Sequence, residues 1–86
     1  MTKAVWKFPV EIAEEQTIAM PDGAKIHFAA LQHGVPCIWA EVELGVPLVE
    51  RKIRVYGTGW RIPGDPGRYI GTFMMYDGHE IYHAFE

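Results

Sequence analysis

The chain has 86 residues, 49% of them hydrophobic and 22% charged, with a formal net charge of −3. That length holds one hydrophobic core, so residues 1–86 read as a single domain, and the composition excludes an intrinsically disordered chain. A net acidic chain is a poor general binder of nucleic acid, because such affinity rests on neutralising many phosphates, and its apolar runs are too short to span a bilayer.

Alternation dominates the N-terminal stretch. Trp6, Phe8, Val10 and Ile12 fall at period two, with Lys7, Pro9 and Glu11 between them, which predicts a half-buried strand. Pro9 cannot donate to a ladder, so this strand is expected at a sheet edge or to end early. Glu14–Gln16 reads as a solvated turn, with a helix over residues 11–16 as the alternative. Thr17–Met20 predicts a short strand closed by Pro21, Asp22 and Gly23, whose types suit a tight turn.

Ala24–Gln32 extends next, with Ile26, Phe28 and Ala30 expected on one face. His33–Gly34 then makes a tight hairpin connection into Val35–Leu44. After a turn at Gly45–Pro47, Leu48–Tyr56 is predicted as a strand. Val49, Ile53 and Val55 face one way; Glu50, Lys52, Arg54 and Tyr56 face the other. Gly57–Gly67 carries four glycines and two prolines in eleven positions, a density that leaves a loop. Arg68–Tyr76 and His79–Phe85 form a last hairpin around Asp77–Gly78, a two-residue turn signal. The expected fold is all-β: a small antiparallel sandwich or barrel of six to seven strands.

Residues 79–83, HEIYH, match the H-E-x-x-H pattern of zinc proteases. That pattern works on a helix, where one turn brings both histidines to one ion. In a strand the two histidines stand roughly 13 Å apart, too far to share a zinc at about 2 Å. Ile81, Tyr82 and Phe85 favour a strand, so no metal site is read here. The sequence contains no serine, which excludes a Ser-His-Asp triad, and its one cysteine, Cys37, reads as a buried structural thiol. No enzyme activity and no cofactor are expected.

Charge is unevenly spread. Residues 1–49 carry three lysines against six acids, residues 50–68 carry five basic against two acidic side chains, and residues 69–86 carry three acids with neither lysine nor arginine. The basic segment coincides with the unusual chemistry. Arg54, Arg61 and Arg68 supply guanidinium forks that match phosphate geometry. Thr58, Gly59 and the adjacent amides could form an anion nest. Tyr56, Trp60 and Tyr69 offer flat faces for a base. These eight residues are the candidate ligand site, with a small phosphorylated ligand as partner. The plain alternative is a long hairpin loop with solvated arginines.

Four segments carry a family resemblance: Gly34–Ala40 (GVPCIWA), Arg54–Gly59 (RVYGTG), Gly67–Phe73 (GRYIGTF) and His83–Glu86 (HAFE). Together they resemble small proteins encoded by tailed phages and prophages, a family known as a domain of unknown function. The resemblance covers most of the chain and brings no catalytic residue with it. It implies a phage accessory protein in the host cytoplasm, and by analogy one that sequesters a nucleotide-derived immune signal. A stapleless domain of this size is further expected to be a homo-oligomer. The alternative function is a protein–protein interaction module that uses a strand edge or an aromatic patch.

Overall fold

A computed structural model describes residues 2–86 and shows seven strands: β1 (Lys3–Pro9), β2 (Gln16–Pro21), β3 (Lys25–Gln32), β4 (Val35–Glu43), β5 (Leu48–Gly57), β6 (Tyr69–Met75) and β7 (Glu80–Phe85). They form two packed antiparallel sheets, β1-β4-β3 (sheet A) and β2-β5-β7-β6 (sheet B), as the all-β expectation required. Among the described residues no helix is long and apolar enough to cross a membrane.

Alternation selects the inner faces. Ile38, Ala40 and Val42 of β4 meet Ile53 and Val55 of β5, Phe73 of β6 and Met20 of β2 in one core, each at most 1% exposed. Each of these side chains other than Ala40 contributes about 1.5–3 kcal/mol on leaving water. Cys37 is buried, as expected, but it stands outside this cluster. It pairs with Pro9 and Ala30 on the outer face of sheet A.

Pro9 ends the edge strand β1, so both halves of the expectation for it hold. The connection before β2 is not helical. Its backbone is engaged elsewhere: the Val10 N–H donates to Pro36 O at 2.9 Å and the Val55 N–H to Ala13 O at 3.1 Å. The Gln16 amide closes the same segment, accepting from the Glu11 N–H and donating to Glu11 O, both at 2.9 Å. With these groups already paired, residues 11–16 have no use for helical hydrogen bonds.

The turns follow left-handed conformations. His33 and Gly34, at φ 50° and 79°, form the expected two-residue hairpin. The β6–β7 connection is longer than expected. Met75 pairs with Glu80, which leaves four residues in the loop, and Tyr76, Asp77 and Gly78 all have positive φ. The Gly78 N–H donates to Met75 O and the His79 N–H to Tyr76 O, each at 3.1 Å.

Two bulges re-aim side chains. The register shifts between Ile26 and Phe28 in β3, and between Tyr69 and Gly71 in β6. The first keeps Ile26 in the core while Phe28 turns out beside Trp39, their rings 5.9 Å apart. The expectation that Ile26, Phe28 and Ala30 share one face is corrected accordingly. An extra residue in a strand inverts the alternation beyond it.

Candidate functional site

The solvent face of sheet B carries half of the eight candidate residues. Register places Arg54, Phe85 and Tyr69 side by side across β5, β7 and β6, with Tyr56, His83 and Thr72 in the next row. Val55 and Ala84, in the row between, point into the core, with Gly71 opposite Ala84. Arg54, Tyr56 and Tyr69 therefore share one face, and Thr58 joins them through His83.

A hydrogen-bonded chain crosses this face. Thr58 Oγ1 lies 2.7 Å from His83 Nε2, and Thr72 Oγ1 lies 3.1 Å from His83 Nδ1. The Tyr69 hydroxyl continues the chain to Thr72 Oγ1. Thr58 Oγ1 also lies 3.4 Å from Ile81 O, an acceptor only. If Thr58 donates there, its oxygen accepts from His83 Nε2–H. His83 Nδ1 then accepts from Thr72, which accepts from Tyr69. That direction satisfies every member.

An aromatic group adjoins the chain. The Phe85 ring sits between Tyr69, 5.7 Å away and near edge-on, and Tyr56, 6.2 Å away. Tyr69 is 54% exposed, whereas Tyr56 is only 5% exposed. Tyr56 thus shares the face foreseen for it, but Phe85 and the crossing loop cover it. It has little ring area to offer a base.

The arginines do not form one cluster. Arg54 lines a hollow of about 280 Å³ together with Glu14, Glu15, Tyr56, Pro63 and Asp65. Three carboxylates thus line the same hollow as this guanidinium, which donates at 3.5 Å to Pro66 O. The hydrogen bond and charge of Lys52, 2.8 Å away, hold the Glu15 carboxyl below the usual carboxylate range. Arg68 lies 3.5 Å from a Glu86 oxygen. Glu86 also takes both Arg51 Nε and, at 2.8 Å, Arg51 Nη2. Arg61 is exposed on the loop.

Trp60 and Gly59 turn away from this group. Gly59 has φ 86° and leads Trp60 back over β5, where its N–H donates to Gly57 O at 3.0 Å. The indole meets Tyr82 nearly perpendicularly, 5.9 Å between ring centres. Tyr82 alternates with His83 and so belongs to the opposite face of β7.

The HEIYH segment is not helical: His79 closes the turn and residues 80–85 are strand. Among the described residues no group of three His, Cys, Asp or Glu side chains is placed to hold a metal. His83, Thr72 and Phe85 were missed as site residues by sequence reasoning. Their signal was available, because the hairpin register that pairs Thr72 with His83 follows from centring the turn on Asp77–Gly78.

A family model described as "Domain of unknown function (DUF7352)" matches residues 1–86. The chain belongs to this family. No curated protein and no solved structure matches it. The resemblance expected from the sequence therefore holds at the level of a family of unknown function.

Proposed function

We propose that this chain is a non-enzymatic binding protein that holds a protein partner against the solvent face of sheet B. The observation that carries the reading is an apolar strip along β6 and its turn. Tyr69, Met74 and Tyr76 are 54%, 62% and 67% exposed. Large apolar side chains left exposed along one strand mark a contact site. Arg61, exposed on the loop, belongs to the basic stretch that leads into β6. The matching surface therefore carries apolar side chains with carboxylates beside them.

A photo-crosslinking amino acid at position 74 tests the reading, with one at position 5, on the outer face of sheet A, as the comparison. In cells making the protein, position 74 should give one discrete adduct and position 5 none. The adduct's mass separates a foreign protein from a second copy, the homo-oligomer of the sequence expectation. No adduct from either position, or an adduct from position 5 alone, would overturn the reading.

A second reading places a small phosphorylated ligand on the same face. The shared face of Arg54, Tyr56, Thr58 and Tyr69 supports it. It ranks second because Glu14, Glu15 and Asp65 line the hollow that Arg54 faces, while Glu86 engages Arg68. Taken with the phage resemblance, it would make the chain a sequestering agent for a nucleotide-derived host immune signal. Calorimetric titration with a nucleotide panel separates the readings. Affinity lost in Arg61→Ala and Arg68→Ala favours the nucleotide, and absence of binding across the panel removes it.

A further inference from the structure

The loop that breaks up the expected site builds a different one. Trp60 and Tyr82 stand at an interplanar angle of 80° and form two walls of a cleft of about 280 Å³. Glu80, His79, Gly57 and Thr58 also line it, and none of its lining residues is lysine or arginine. The Tyr82 hydroxyl donates to Glu80 Oε1, which ties the carboxylate to the aromatic wall.

The position of Trp60 is fixed from below. A Cβ at Gly57 would lie 2.5, 2.6 and 3.0 Å from Cε2, Nε1 and Cδ2 of the indole. Three ring atoms at such distances mean that the indole lies flat on the glycine. One face is packed on backbone, yet the residue remains 48% exposed. Any side chain at position 57 would lift the ring out of place. A large aromatic surface is thus held open to solvent beside a carboxylate.

We infer that this cleft takes an organic ammonium group, with the indole and phenol rings on its apolar shell and Glu80 opposite its charge. Aromatic faces attract such cations through the ring quadrupole, and a fixed carboxylate adds the opposite charge. An ammonium on an alkyl chain suits these walls better than a metal ion, which would need several oxygen ligands. The same hydrogen bond and charge of Glu80 raise the Tyr82 pKa above its ordinary value, which keeps the phenol a donor to the carboxylate. This site shares no residue with the apolar strip on β6, although Met74 of the strip pairs with Ile81 of the cleft.

Tetramethylammonium chloride is the first probe, followed by the Trp60 indole N–H and Tyr82 ring signals in NMR spectra. Saturable shifts confined to these residues, with none from sodium chloride at equal ionic strength, are expected. Glu80→Gln keeps an acceptor for Tyr82 and should weaken binding about tenfold, and Trp60→Ala should abolish it. Shifts that sodium chloride reproduces, or affinity unchanged in Glu80→Gln, would overturn the assignment. Spermidine and a lysine-containing peptide then separate a free amine from a protein side chain, and tighter binding of either supports the cleft. Tyr69→Ala alters no residue that lines the cleft or pairs with one, so loss of the protein partner in that variant with ammonium binding retained distinguishes the two readings.

Discussion

Gly71 of β6 packs against Ala29 of β3, one sheet against the other. A Cβ on Gly71 would stand 2.6 Å from the Ala29 Cβ. β6 of sheet B can lie against β3 of sheet A because neither residue presents bulk there. Gly71→Ala should therefore cost about 1–3 kcal/mol by overpacking, measured by urea denaturation. Ala29→Gly in the same chain should recover part of that loss. A coupling near zero in the double-mutant cycle would mean that the contact does not hold the seam.

Glu41 gives the fold an acid-sensitive surface group. Lys3 at 3.0 Å and His27 at 3.3 Å hold its carboxyl below its ordinary value of 4.5, chiefly through the Lys3 hydrogen bond. A lowered folded pKa contributes stability above the unfolded value, and that contribution is lost as pH falls through the folded pKa. Between about pH 6 and about pH 3 the wild type should thus lose more stability than Glu41→Gln. Parallel urea midpoints for the two proteins across that range would contradict this.

His83 should be the Nε2–H tautomer when neutral. Thr58 donating to Ile81 O leaves its oxygen to accept from Nε2, and Nδ1 then accepts from Thr72. The ring nitrogen shifts of His83 in long-range proton–nitrogen spectra report the tautomer directly. Thr72→Val should remove the donor to Nδ1 and cost about 1 kcal/mol. A dominant Nδ1–H form in the wild type would reverse the direction of the whole chain.

The strands were legible because alternation of period two is explicit in β4, where each inward side chain is aliphatic, and in β5, where only Arg51 interrupts the aliphatic inward set. The β6–β7 register was also legible. Centring the turn on Asp77–Gly78 pairs Met75 with Glu80 whether the loop holds two residues or four. The bulges were not legible. Without the one at Ile70, Tyr69 would face the core side of β6, opposite to Thr72. Nothing in the local sequence marks that inversion; it arises where Gly71 must meet Ala29. The arginine grouping failed for a related reason. Charge counted along residues 50–68 is blind to Glu14, Glu15 and Glu86, which the fold brings from both ends of the chain. The loop glycines were read as turn-formers and as part of an anion nest, whereas Gly57 serves the close approach of the Trp60 indole.

Native mass spectrometry of gently purified protein tests the binding role most directly, because it reports subunit number, bound protein and bound small molecule together. The expected result is a discrete complex with a protein partner, foreign or a second copy, that dissociates in Tyr69→Ala/Met74→Asp. A bare monomer for the wild type, or a complex that survives in that variant, would contradict a partner on the β6 face.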